Sequence, residues 1–173
     1  MKKLMLSIFA LAAFTLSAAA QANTATDNAT SHAELISPMS LAKVAGATNG
    51  GNLEFGKIAI GAGAGTVSLT AAATPTVTPA GSATLVAGTP RSAAAFLVGG
   101  QAGRAYSVTL PTSTNVVNGA NNLTITSWAS SASLVIESSE ELNTFYVGGT
   151  LNIPVDSPVG NYAGTFDVTV TYN

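Results

Sequence analysis

Gly160-Asn-Tyr-Ala-Gly-Thr-Phe-Asp-Val-Thr-Val-Thr-Tyr-Asn173 alternates without a break. On an extended chain Tyr162, Gly164, Phe166, Val168, Val170 and Tyr172 fall on one face, and Ala163, Thr165, Asp167, Thr169 and Thr171 on the other. A period of two, filled by β-branched and aromatic residues, predicts a strand with one face in a core and one in water. Such a strand either pairs inside its own domain or offers its backbone to another chain.

Working back from this stretch, the same grammar recurs. Asp156 to Gly160 reads as a turn. Phe145 to Ile153 reads as a strand interrupted at Gly148-Gly149, and Leu123 to Trp128 as another, entered through the turn signals Asn118-Gly119 and Asn121-Asn122. Tyr106, Val108 and Leu110 alternate up to Pro111. Ala94 to Val98 is a strand that ends in the turn Gly99 to Gly103. Gly61-Ala-Gly-Ala-Gly65 lacks the spacing of a phosphate loop and no helix follows it, so it reads as a hairpin turn into Thr66 to Thr70. Thr74 to Pro79 reads as an extended segment crossing between sheets. Leu53 to Ile60 alternates, with a bulge predicted at Gly56. Ala33 to Val44 is the first strand, broken at Pro38, which has no N–H for a ladder. There is no helical stripe of useful length. About seven to nine strands in one domain, residues 33–173, point to an all-β, immunoglobulin-like antiparallel β-sandwich.

The N-terminus has a different character. Lys2 and Lys3 precede the apolar run Leu4 to Leu16, and small-residue cleavage patterns follow at Ser17–Ala20 and Ala20–Ala22. Residues 1–22 therefore read as a signal peptide, too short to span a bilayer. Export is expected, with the periplasm as a stage of transit and no membrane span in the mature chain. Residues 23–32 are polar and read as a flexible arm.

With Lys2 and Lys3 removed, 4 basic and 8 acidic residues leave a net charge of −4. Phosphate binding needs clustered Lys and Arg, so nucleic acid is not an expected partner. There is no cysteine, so packing and sheet hydrogen bonds must hold the fold without disulfides. The residues also offer little chemistry. The one histidine, His32, lies in the arm. Glu140 and Glu141 are adjacent and would point to opposite faces of a strand. Asp167 faces water, and no cluster has metal-ligand spacing. Trp128 and the tyrosines read as core and rim packing before they read as a sugar platform. No catalytic, cofactor-binding or metal-binding residue is expected, and the chain does not read as an enzyme.

Four segments carry a resemblance. Leu53-Glu-Phe-Gly56, Phe96 to Pro111, Val147 to Pro154 and Gly160 to Tyr172 resemble the pattern of the DUF4402 family of exported bacterial proteins. That family is similar to fimbrial subunits, and the resemblance implies an immunoglobulin-like sandwich at the cell surface. The last stretch is also similar to the end of chaperone–usher pilins, which have an alternating strand, a penultimate aromatic (here Tyr172) and a glycine fourteen residues from the end (here Gly160). This likeness implies a subunit that lacks one strand and exposes a groove beside its last strand. A periplasmic chaperone fills that groove first, and the N-terminal extension of the next subunit then replaces it.

The resulting expectation is a non-catalytic structural subunit of a fimbria or surface fibre, assembled by β-strand addition between copies of itself, with a periplasmic chaperone and usher as handling partners. The assembly strand is Gly160, Tyr162, Gly164, Phe166, Val168, Val170 and Tyr172, and the candidate donor segment holds Ala33 and Leu35. The alternative is a monomeric secreted or surface adhesin or matrix protein that binds a glycan or host protein.

Overall fold

The computed structural model describes residues 24–138 and 143–173. The predicted signal peptide 1–22, the first arm residue Asn23 and the pair Glu140–Glu141 lie outside the described residues. Residues 24–34 form no helix or strand and are exposed throughout. Residues 35–173 form a separate compact unit.

That unit is an all-β sandwich with antiparallel pairing. The strands are β1 (Ser40–Lys43), β2 (Ile58–Leu69), β3 (Val77–Leu85), β4 (Ala94–Gly99), β5 (Tyr106–Thr109), β6 (Thr114–Asn118), β7 (Asn121–Ser130), β8 (Thr144–Ile153) and β9 (Thr169–Tyr172). The larger sheet runs β1-β4-β8-β2-β3, with the β6–β7 hairpin added through β7 to β8. The smaller sheet is the pair β5–β9. Among the described residues there is no α-helix; a 3-10 turn spans Thr48–Gly51.

β8 is the central strand, and its two glycines explain the topology. Val147 pairs with Ala94 of β4 and with Ser130 of β7, while Leu151 pairs with Val67 of β2 and Ile125 of β7. β7 therefore follows one edge of β8 throughout. On the other edge β4 hands over to β2 at Gly148–Gly149. A Cβ at Gly148 would collide with the Leu69 carbonyl oxygen and lie 2.8 Å from the Thr70 carbonyl carbon. The glycines do not interrupt the strand as the sequence suggested. They let two neighbouring strands end against a continuous one.

The first strand is shorter than expected. Pairing begins at Ser40, and residues 33–38 are exposed and belong to no strand. Pro38 supplies the reason, because it cannot donate to a ladder. The glycine run 61–65 is not the hairpin turn that its composition suggested. β2 passes straight through it, paired with β3, with a register shift between Ile60 and Gly65. Gly81 opposite has φ +65, and a Cβ at Gly65 would lie 2.7 Å from the Ala83 nitrogen. Small residues thus make a wide bulge inside a strand, and the hairpin turns instead between Leu69 and Val77. Thr74 to Pro79 does not cross between sheets. Its end enters β3, where Pro79 pairs with Val67 on the outer strand, so its missing N–H removes no bond the sheet needs. β6 was not anticipated, because Thr-Asn-Val-Val-Asn lacks alternation. Gly56 has a left-handed backbone, φ +72, but lies outside the strands, between the Glu54–Ser92 bridge and β2, so the expected bulge is not formed there.

The core has two clusters. One gathers Val67, Ala83, Leu123, Ile125, Leu151 and Ile153 on the β2–β8–β7 face. The other gathers Ala94, Val98, Tyr106, Ile136, Phe145 and Val147, where the β5–β9 pair packs on β4 and β8. Trp128 touches both clusters.

Candidate functional site: an open groove beside the C-terminal stretch

The C-terminal stretch keeps its predicted alternation in burial but loses it in pairing. Tyr162, Phe166, Val168, Val170 and Tyr172 are half-buried, and the residues between them are exposed. Only Thr169–Tyr172 is a regular strand, in the register Tyr106↔Tyr172 to Thr109↔Thr169. In that register Pro111 would stand opposite Asp167, and proline has no N–H to give. Upstream, Ala163 makes one reciprocal pair with Val117 of β6, at 2.8 and 3.0 Å. The chain therefore leaves the edge of one sheet at Ala163 and joins the other at Thr169. Between them, the backbone of residues 164–168 makes no hydrogen bond among the described residues. Unpaired backbone groups are tolerated only where water or another chain can reach them.

Beside this segment lies a groove of about 1030 Å³. Tyr162 and Phe166 form part of one wall, Leu53, Phe55, Ile58 and Ile60 the facing wall, and the buried core side chains Leu123, Ile125, Leu151 and Ile153 are also among its lining. A filled sandwich leaves few voids larger than a water molecule. This opening is far larger than such voids. Phe166 sits at its inner end, with its ring 4.5 Å from Trp128 and 6.4 Å, edge-on, from Phe96. Val86 and Val159 expose apolar surface at the mouth, Val159 at 91%.

The structure divides the predicted assembly residues between two places. Gly160, Tyr162, Gly164 and Phe166 line the groove. Val168, Val170 and Tyr172 pack on the second core cluster, which Phe166 also touches. Only Gly164 is needed for close approach to backbone; Gly160 meets the end of a side chain that can move aside. A Cβ at Gly160 would collide with the Asn118 carboxamide, and one at Gly164 would lie 2.6 Å from the Asn115 carbonyl oxygen. The Tyr162 hydroxyl donates to the Pro158 carbonyl at 2.7 Å. The Tyr172 hydroxyl donates to the Ser37 carbonyl at 2.9 Å and accepts from the Gln101 N–H at 2.7 Å. Of the candidate donor residues, Ala33 is exposed and Leu35 is 92% exposed.

The facing wall was missed as a functional surface. Leu53, Phe55, Ile58 and Ile60 were legible as alternating strand residues, but nothing in the sequence says that they border a groove. Arg91 holds this wall in place. Its guanidinium donates to the carbonyls of Phe55 at 3.2 Å, Lys57 at 3.2 Å and Val86 at 2.8 Å. Lys43 and Lys57 also line the groove, with Glu54 as its one acidic lining residue. The Lys43 ammonium donates to Asn52 Oδ1 at 2.7 Å. Among the described residues, no group of three or more His, Asp or Glu is placed to hold a metal ion.

The fold and site define an all-β sandwich whose core opens along its C-terminal segment. The chain belongs to the DUF4402 family, a domain of unknown function, whose model matches residues 45–172. The match takes in both walls of the groove. No curated protein and no solved structure matches the chain.

Proposed function

We propose that this protein is a non-catalytic structural subunit of a fimbria or surface fibre, exported through the periplasm and assembled by β-strand addition between copies. The acceptor is the groove along Gly160 to Phe166 together with the unpaired backbone of residues 164–168. The donor is the segment around Ala33 and Leu35 of another copy. A periplasmic chaperone and an usher are the handling partners this reading calls for. One observation carries it: an apolar groove of about 1030 Å³ lies next to a segment, residues 164–168, whose backbone is unpaired. An added strand supplies both missing terms, since its backbone bonds the free edge and its alternate side chains fill the groove. The contact is head-to-tail and does not close on itself, so it propagates into a filament. Because residues 33–38 lie in no strand, donating them breaks no strand pairing and gives up only the contacts of Ser37 with Tyr172 and Gln101.

The test is size-exclusion chromatography with light scattering on the protein purified from the periplasm, together with gels run without boiling. Expected are oligomers and SDS-resistant ladders that a synthetic peptide of residues 24–39 suppresses. A concentration-independent monomer that unfolds cooperatively and ignores the peptide overturns the proposal and returns the protein to the self-contained adhesin reading.

A further inference from the structure

Charge is unevenly placed around the groove. Residues 24–173 hold four basic side chains: Lys43, Lys57, Arg91 and Arg104. Two of them line the groove, and Arg91 is bonded to the backbone of the same wall. The one carboxylate among the lining residues, Glu54, accepts from the Gly56 N–H at 3.3 Å. Two further acids, Asp156 and Asp167, are exposed next to Ser157 and Phe166 on the opposite side. Lys43, Lys57 and Arg91 against Glu54 leave this side of the groove with an excess of two positive charges (3 − 1), in a chain that is acidic elsewhere. Residues 24–39 have the opposite character, with Asp27 and Glu34 and no lysine or arginine.

Resting on the strand-addition reading, we propose that the cationic wall selects its incoming strand by charge, and that its occupant is the acidic segment 24–39 of a second copy. When Ala33 and Leu35 point into the groove, Glu34 between them points outward, as alternation on a strand requires. That orientation brings its carboxylate to the rim where Lys57 stands. Charges at an interface rim act on encounter rate and partner choice more than on final affinity, and salt screens them. The wall thus discriminates against strands that carry lysine or arginine beside their apolar residues.

Trp128 is the only tryptophan and its ring touches Phe166, so its fluorescence reports groove occupancy. The experiment titrates the full-length exported protein with a synthetic peptide of residues 24–39, at salt between about 0.02 and 0.3 M. Peptide binding is expected to weaken as salt rises. Glu34→Lys in the peptide should weaken it by about two- to five-fold at low salt, the range of an exposed ion pair. Lys57→Glu in the protein should weaken the native peptide similarly and restore the Glu34→Lys peptide. The Lys57 side chain is exposed, so the variant should fold normally, which its urea midpoint checks. Binding that ignores both salt and charge swap overturns the charge selection and leaves strand addition standing. No binding of any peptide, with a stable monomer, overturns both.

Discussion

Replacing Leu35 with Asp separates folding from assembly. Leu35 is 92% exposed and lies outside every strand. The isolated subunit loses almost no contact on substitution, so its unfolding free energy should change by no more than about 0.5 kcal/mol. In the fibre the same side chain passes from water into the groove. Full burial of a leucine contributes about 1.5–3 kcal/mol. At about 1.4 kcal/mol per tenfold, its loss weakens association by roughly 10- to 150-fold. Desolvating the new carboxylate adds to this. The assay pairs urea unfolding of the monomer with concentration-dependent light scattering. The expected result is an unchanged midpoint and an assembly threshold raised by at least tenfold. If Leu35→Asp assembles at the wild-type concentration, the donor segment is not the one containing Leu35. If the monomer is strongly destabilised, the exposure from which the argument starts is wrong.

The remaining predictions probe the scaffold that holds the groove. Phe145 is 1% exposed and stacks on Phe96 at 5.7 Å, so Phe145→Ala should cost about 3–5 kcal/mol in urea unfolding. Asn143 is buried; its Oδ1 accepts from the Glu137 N–H at 2.7 Å and its Nδ2 donates to the Glu137 carbonyl at 3.0 Å, and Asn143→Ala should cost about 1–3 kcal/mol by leaving both unpaired. At Gly148 the atoms in the way are backbone, so Gly148→Ala should cost about 1–3 kcal/mol or more and loosen the ends of β2 and β4, seen as faster amide exchange there. Tyr172→Phe keeps the ring but removes the bonds to Ser37 and Gln101, at about 1 kcal/mol, and should speed exchange of the Gln101 amide without changing the core.

Much of the fold was legible because strands advertise themselves locally. Ala94 to Val98, Tyr106 to Thr109 and Phe145 to Ile153 alternate or run apolar between turn residues, and each is a strand within a residue or two. Glycine was the weak point. Gly61 to Gly65 and Gly148–Gly149 looked like breaks, yet both lie inside strands, the first at a bulge facing Gly81 and the second at a junction against Leu69 and Thr70. A glycine permits a turn, a bulge or a close approach equally, and only its neighbours in space select among them.

The sequence by itself determined the all-β class, the apolar face of Tyr162 to Tyr172 and the acidic, lysine-free segment before β1. These follow from side-chain period and composition, which are properties of neighbouring residues. The tertiary structure alone decided that this face is divided between two sheets, that residues 164–168 lack backbone partners among the described residues, and that they share a groove with Leu53 to Ile60. Alternation says that a face is apolar but not whether anything covers it. Pairing depends on which strands the whole chain can bring alongside, and here Pro111 and the crossing from β6 to β5 leave residues 164–168 unpaired.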